Sequence, residues 1–254
     1  MLLAVDIGNT NITFGLFENN DLHSTWRIAT DPRKTSDEYN TILESLLTIR
    51  KLSANQITEV AICNVVPPLA SVFEQLSRTY FQTTPLVVES GIKTGVRILY
   101  ENPRDVGADR VVDAVAAYRL YGGPVIIVDF GTATVFDAVT KDGDYLGGAI
   151  APGINIAADA LFHNASQLKR VEFNVPKAAI GKNSITSLQS GLLFGYIDLV
   201  EGMVKRFKSE LDPNAKVIAT GGLAELFAKE TNIFAAVNLD LTLLGLKMIY
   251  DLNR

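Results

Sequence analysis

The sequence has little of the chemistry that disulfides, metal cages or covalent catalysis require. Its one cysteine, Cys63, lies in an apolar stretch and cannot form an intrachain disulfide or an all-cysteine metal site. Its two histidines, His23 and His163, are too few for a histidine-rich zinc centre. The P-loop motif is absent, and no dinucleotide-binding glycine motif follows the first predicted strand. Disulfides, all-cysteine or histidine-rich metal centres, a P-loop fold and a dinucleotide-binding Rossmann site are therefore disfavoured.

Positive charge and long apolar runs are also scarce. The chain holds 23 Lys and Arg against 28 Asp and Glu, a net charge of −5. Because binding to the DNA backbone needs a basic face, we expect no nucleic-acid partner. No stretch approaches the ~20 apolar residues of a spanning helix, and the first residues, MLLAVDIGNT, lack the basic segment of a signal peptide. We expect a cytoplasmic protein with no membrane partner.

What the sequence does contain is an α/β pattern over 254 residues, 48% of them hydrophobic. Apolar runs and alternation predict strands over Leu2–Val5, Ile12–Phe17 and Leu22–Ile28, separated by polar turns. This is a meander of two hairpins. Helical spacing follows Ser36, a plausible N-cap, and Val60–Val66 is a further apolar strand.

The opening strand–turn–strand unit recurs later in the chain. Asp6 aligns with Asp129 and Gly8 with Gly131, both at an offset of 123 residues. Such a long offset indicates duplicated domains rather than a solenoid. We expect two homologous α/β halves, residues 1–117 and 118–254. The same offset places three turn residues, Asn9-Thr10-Asn11, on Thr132-Ala133-Thr134.

Each of these turns suits a phosphate group. Glycine lets the backbone approach a ligand closely, and successive N–H groups can point at phosphate oxygens. A strand-end carboxylate such as Asp6 can hold a hydrated magnesium ion beside those phosphates. A plain β-hairpin is the alternative for one copy. Two copies could clamp a polyphosphate from both sides.

A third segment, Gly107-Ala108-Asp109-Arg110, stands at the start of a predicted helix, where the helix field favours anions. A carboxylate here could accept a proton from a bound hydroxyl that attacks phosphorus. An arginine could form a forked pair with a substrate carboxylate. The alternative is that Asp109 caps the helix and Arg110 makes a surface ion pair.

The two turns, together with the later Ala219-Thr220-Gly221-Gly222, resemble the phosphate hairpins and adenosine loop of ATPases of the actin, sugar-kinase and Hsp70 type. This resemblance implies an α/β fold of two duplicated actin-like (ribonuclease H-like) halves, with a nucleotide cleft between them.

The order of motifs along the chain is similar to that of type III pantothenate kinases. Its most specific part is Gly107-Ala108-Asp109-Arg110 followed by Asp-Phe-Gly-Thr-Ala-Thr at 129–134. The resemblance implies ATP-dependent phosphorylation of pantothenate to 4′-phosphopantothenate, the first step of coenzyme A biosynthesis. It further implies Mg²⁺, a monovalent cation (K⁺ or NH₄⁺) and a homodimer.

The resemblance also implies roles for individual residues. Asp109 is the catalytic base, and Asp129 and Asp6 hold the metal ions. The ATP-binding residues are Asp6, Ile7, Gly8, Asn9, Thr10, Asn11, Ile12, Thr13 and Thr132. The pantothenate-binding residues are Tyr100, Gly107, Ala108, Asp109, Arg110 and Ser184, the last standing where a threonine is more usual.

Two other functions are compatible with the same fold. The chain could be an accessory transcription regulator with little kinase activity, but such a protein could lose its aspartates, and Asp6, Asp109 and Asp129 are all present. It could also phosphorylate another small alcohol, such as a sugar. Only the resemblance, through Gly107–Arg110 and Tyr100, favours pantothenate.

Overall fold

The computed structural model describes Met1–Arg254, which fold into two compact α/β units. The first unit contains residues 1–119 together with Asp240–Arg254, and the second contains Leu120–Leu239. The predicted halves, 1–117 and 118–254, differ from these units mainly at the C-terminus. The C-terminal helix returns to the first unit because its apolar face packs on the sheet there.

Eleven strands and seven α-helices make up the chain. The strands are β1 (Leu2–Ile7), β2 (Asn11–Glu18), β3 (Asp21–Ala29), β4 (Glu59–Asn64), β5 (Leu86–Val87), β6 (Arg97–Ile98), β7 (Val125–Phe130), β8 (Ala133–Val139), β9 (Asp144–Pro152), β10 (Lys216–Thr220) and β11 (Ala236–Val237). The helices are α1 (Ser36–Ile49), α2 (Ala70–Tyr80), α3 (Ala108–Tyr121), α4 (Ile154–Asn164), α5 (Ser184–Glu210), α6 (Ala224–Ala228) and α7 (Leu241–Asn253).

The sheet of the first unit has the strand order β3-β2-β1-β4-β5. β1, β2 and β3 pair antiparallel, whereas β1, β4 and β5 pair parallel. Because side chains alternate along a strand, β1 buries residues on both faces. Leu3, Val5 and Ile7 pack in the core that includes α1 and α2, and Leu2 and Ala4 pack in the core that includes α3 and α7.

The strands of the second unit repeat this arrangement in the order β11-β10-β7-β8-β9. β7, β8 and β9 pair antiparallel, and β7, β10 and β11 pair parallel. Its core joins Ile126, Val128 and Phe130 of β7 to the buried face of α5. The Phe130 ring stacks on Phe227 of α6 at 4.5 Å between centroids. The expected duplication is confirmed.

The second hairpin is one residue shorter than the first. Asp6 lies opposite Thr13 in the β1–β2 pair, whereas Asp129 lies opposite Val135 in the β7–β8 pair. The offset therefore falls from 123 on the first strand to 122 on the return strand. The predicted match of Asn11 with Thr134 is wrong for this reason.

None of the helices, including the 27-residue α5, combines the length and the hydropathy of a transmembrane segment.

Candidate active site

The β1–β2 turn of the first unit presents backbone to solvent at Gly8, Asn9 and Thr10. The Gly8 N–H donates to the Asn11 carbonyl at 3.0 Å, and a Cβ added to Gly8 would lie 3.1 Å from that oxygen. Asn9 and Thr10 are exposed. The glycine keeps the turn tight and leaves room for an anion above its N–H groups.

Two of the predicted ATP-binding residues cannot offer their side chains. Ile7 and Ile12 are both fully buried in the core of the first unit. They flank the turn and hold it to the sheet, so only their backbone groups can reach a ligand.

Thr30, which follows β3, supports the same turn. Its Oγ1 donates to the Gly8 carbonyl at 2.7 Å, and its N–H donates to the Thr10 carbonyl at 3.0 Å. These bonds occupy two turn carbonyls and fix the direction of the neighbouring N–H groups. Sequence reasoning missed Thr30, because its partners lie 20 or more positions away in the chain.

Asp6 is the penultimate residue of β1 and lies next to Cys63 of β4, its direct partner in the parallel ladder. The thiol donates a hydrogen bond to the Asp6 carboxylate. Burial, and then the negative charges of Asp6, Asp109 and Asp113, raise the pKa of Cys63 well above its ordinary value. The predicted core position of Cys63 is confirmed, since the residue is fully buried. The negative charges of three carboxylates of the first unit therefore act on one buried thiol.

The Asp6 carboxylate suits a magnesium ion that is shared with substrate phosphates. No group of three His, Cys, Asp or Glu side chains forms a ready metal cage. Mg²⁺ commonly keeps several waters and uses one or two protein carboxylates together with phosphate oxygens. Asp6, half-buried near the end of β1, offers hard oxygen donors of this kind.

Asp109 lies in the first turn of α3, where Gly107 makes room for its carboxylate. A Cβ on Gly107 would lie 2.5 Å from Asp109 Oδ1. The same oxygen accepts the Arg110 backbone N–H at 2.8 Å. Burial raises the pKa of Asp109, and the Arg110 N–H and guanidinium charge oppose the rise. The result is a partly buried carboxylate that is more basic than an exposed aspartate.

Asp113 lies one turn further along α3 and is buried at 4% exposure. Its Oδ1 accepts a hydrogen bond from Thr242 of α7 at 2.7 Å. A signal for Asp113 was present in the sequence, since it is an acid four residues after Asp109 within an otherwise apolar run. Its partner Thr242 had no such signal.

The segment before α3 is shaped by Asn102. Its Oδ1 accepts the Arg104 N–H at 3.3 Å, and its Nδ2 donates to Asp105 at 2.8 Å. This short 3₁₀ turn links half-buried Tyr100 to Gly107. Tyr100, Asp109 and Arg110 therefore belong to one continuous segment, residues 100–110.

In the second unit, Asp129 is the penultimate residue of β7 and lies against two glycines. Its Oδ2 is 3.2 Å from the position of a Cβ on Gly131, and a Cβ on Gly221 would collide with its carboxylate. Gly221 has φ +89°, a conformation that favours glycine. Thr132 is exposed in the β7–β8 turn.

Ser184 is the first residue of α5 and is exposed. Asn183 caps this helix: its Oδ1 accepts the Thr186 N–H at 2.9 Å. The structure thus places Ser184 at a helix N-terminus, where N–H groups favour anions.

Comparison with known proteins identifies the family. The model of the type III pantothenate kinase family matches residues 2–206. A "Type III pantothenate kinase" of Anaeromyxobacter sp. (strain Fw109-5) is 52% identical over 254 residues, covering 100% of both chains. One of Myxococcus xanthus (strain DK1622) is 50% identical over 253 residues, covering 100% of this chain and 99% of the relative. The chain belongs to the type III pantothenate kinase family.

Solved structures show the same fold at lower identity. A Campylobacter jejuni protein, described as belonging to a Baf family of transcriptional activators, has a TM-score of 0.64 at 20% identity and covers 99% of this chain and 98% of its own. The inorganic polyphosphate/ATP-glucomannokinase of Arthrobacter sp. strain KM has a TM-score of 0.52 at 14% identity and covers 100% and 99%. The predicted actin-like α/β fold is confirmed.

Family membership confirms several predictions made for this pantothenate kinase. The expected enzyme class, a phosphotransferase acting on pantothenate in coenzyme A biosynthesis, is that of the family. Within the first unit, the structure brings Asp6 and Asp109 into the same electrostatic environment, around Cys63. The roles of individual site residues stay predictions.

Proposed function

We propose that Asp109 is the base with which this pantothenate kinase activates the primary hydroxyl of pantothenate for attack on the γ-phosphate of ATP. The observation that carries this assignment is the partly buried Asp109 carboxylate in the first turn of α3, which burial makes more basic than an ordinary aspartate. The hydroxyl proton passes to Asp109 as the new O–P bond forms and the bond to ADP breaks. The products are 4′-phosphopantothenate and ADP.

The two hairpin turns serve ATP in this proposal. Backbone N–H groups at Asn9 and Thr10 bind phosphate oxygens, with side-chain donors from Asn9, Thr10, Asn11 and Thr13. The Gly8 N–H, which donates to the Asn11 carbonyl, keeps the turn closed. The exposed Thr132 of the β7–β8 turn is assigned to ATP as well. The tight Gly8 turn and its support by Thr30 favour this role.

The cations are assigned to the two strand-end aspartates. Asp6 would hold a hydrated Mg²⁺ ion, which would supply positive charge beside the phosphates. Asp129, held against Gly131 and Gly221, would bind a monovalent cation, K⁺ or NH₄⁺. Turnover in K⁺ or NH₄⁺ that falls in Na⁺, and loses this preference in Asp129→Asn, would support the second assignment.

Pantothenate is assigned to the segment that carries the base. The Arg110 guanidinium pairs with the carboxylate of pantothenate. Tyr100, Gly107 and Ala108 form the wall of the pantothenate site. Ser184 contributes a hydroxyl from the start of α5. Continuity of the segment from 100 to 110 supports this assignment, because substrate and base are then positioned by one piece of backbone.

We further infer a cytoplasmic homodimer, as the family resemblance implies. Light scattering of the purified protein tests this assembly: a mass near twice 27.6 kDa is expected, and a monomer at all concentrations would contradict it.

A coupled assay for ADP release tests the proposed function. ADP should appear only when ATP, Mg²⁺ and pantothenate are all present. ADP release with a sugar but not with pantothenate would favour the other kinase function. No release from a folded protein with any alcohol would favour the regulator function.

A further inference from the structure

Three polar side chains form a row across the first three strands of the first unit. Asp6 lies opposite Thr13 in the β1–β2 pair, and Thr13 lies opposite Arg27 in the β2–β3 pair. Residues that are directly opposed in a sheet project from the same face, with Cβ atoms about 4.5–5.5 Å apart. Arg27 therefore stands two strand spacings from Asp6, on the same side.

That face is the one on which the proposed base lies. Leu2 and Ala4 share it with Asp6, because side chains alternate with a period of two. Both pack in the core that includes Val112 and Val115 of α3, the helix that carries Asp109. Asp6, Thr13 and Arg27 therefore face the α3 side of the sheet.

Arg27 also lies at the correct end of the sheet. β1 and β3 are each antiparallel to β2, so they run in the same direction and their C-terminal ends coincide. Three residues after Arg27, Thr30 holds the carbonyl groups of Gly8 and Thr10. The arginine is thus close to the turn that would bind phosphate.

The negative charge near the β1–β2 hairpin would have to be balanced by a cation when a polyphosphate binds. The negative charges of Asp6, Asp109 and Asp113 all act on Cys63, and the hairpin from Asp6 to Thr13 contains no basic residue. A polyphosphate would add more negative charge, which must be neutralised for binding and for phosphoryl transfer.

Arg27 is available for this purpose. It is exposed, and no ion pair of the chain includes it. The two cations that follow β3, Arg33 and Lys34, already pair with Asp31 at 3.1 and 4.0 Å.

We propose that Arg27 binds the terminal phosphates of the nucleotide, supplying the positive charge that the β1–β2 hairpin lacks. This inference rests on the proposed function in one respect: the hairpin must be the phosphate site. Thr13 lies between the carboxylate and the guanidinium, so the row offers a metal ligand, a hydroxyl and a cation to one polyphosphate chain.

The test compares Arg27→Gln with Arg27→Lys and with a matched control, Arg33→Gln. ATP affinity is measured by calorimetry without pantothenate, and steady-state KM values are measured for both substrates. We expect Arg27→Gln to weaken ATP binding and raise the KM for ATP about tenfold, with the KM for pantothenate unchanged. Arg27→Lys should recover part of the loss, and Arg33→Gln should stay within about twofold of the wild type.

Two outcomes would overturn the inference. Wild-type ATP affinity and KM in Arg27→Gln would show that the guanidinium does not touch nucleotide. A rise in the KM for pantothenate alone would assign it to the acceptor carboxylate instead. Failure of the proposed function is seen separately, as wild-type protein that binds ATP without pantothenate-dependent ADP release.

Discussion

Thr242 of α7 donates a 2.7 Å hydrogen bond to the buried carboxylate of Asp113 on α3. The bond joins residues 129 positions apart and ties the C-terminal helix to the helix that carries Asp109. α7 thereby helps to hold α3 in place, and with it the proposed base Asp109, which lies one turn before Asp113.

Thr242→Val should lower the free energy of unfolding by about 1–3 kcal/mol, because it leaves a buried charged acceptor without one of its donors. Urea unfolding followed by circular dichroism measures the change. Thr242→Ser keeps the hydroxyl and should recover most of the loss. Equal stabilities for the valine and serine variants would show that the hydrogen bond contributes nothing.

Gly245→Ala should destabilise the contact between α7 and α3. A Cβ on Gly245 would run into the Val112 carbonyl, and the backbone must shift to admit it, at a cost of about 1–3 kcal/mol. The matched control is Gly202→Ala on α5, where a Cβ meets open space. That variant should gain about 0.5–1 kcal/mol from helix propensity. Thermal unfolding of the two variants measures these changes. Tm should fall in Gly245→Ala and rise in Gly202→Ala.

The acid limb of the pH–rate profile should lie above the ordinary range of an aspartate. Burial raises the pKa of Asp109, and only its deprotonated form can accept the hydroxyl proton. Activity is therefore lost as pH falls through the raised pKa. The opposing effect of Arg110 gives a second expectation: Arg110→Gln should move the limb to higher pH, and Arg110→Lys should move it less. A limb that stays in place in Arg110→Gln would argue that another group controls the rate.

Asp109→Asn should be more stable than the wild type at neutral pH. The folded-state pKa of Asp109 lies above the unfolded value, so the charged form destabilises the native state at pH values above the folded pKa. This penalty disappears as pH falls below the unfolded value of about 3.8. The expected rise in Tm at pH 7 is about 2–4 °C for each kcal/mol removed.

The control for this stability change is Asp142→Asn, in the exposed β8–β9 turn. It should leave Tm within about 1 °C of the wild type, as surface changes usually do. A lower Tm for Asp109→Asn at neutral pH would contradict the expectation.

Sequence patterns predicted the hairpins well because both their strands and their turns are local. Alternation in Ile12–Phe17 and the glycine of the turn are signals that a short window contains. The placement of α7 was not predicted, since amphipathicity shows that a helix buries one face but not which sheet covers it. Residue 240 is where the chain returns to the first unit, and no composition change marks it.

In the candidate site too, residues within local motifs were predicted, and residues that act through distant partners were not. Asp6 and Asp109 were found from motifs, whereas Thr30 and Thr242 act through partners 20 to 129 positions away. The hairpin register was also partly missed, because a one-residue difference in turn length does not alter the motif but shifts every pair on the return strand.

The most direct test of the account is pantothenate-dependent ADP release by the wild type and by Asp109→Asn, with Mg²⁺ and K⁺ present. Calorimetric ATP binding serves as a check that the variant's nucleotide site is intact. We predict steady turnover by the wild type, and a kcat reduced by about 10²–10⁴ in a folded Asp109→Asn that still binds ATP. Wild-type kcat in that variant would show that Asp109 is not the base.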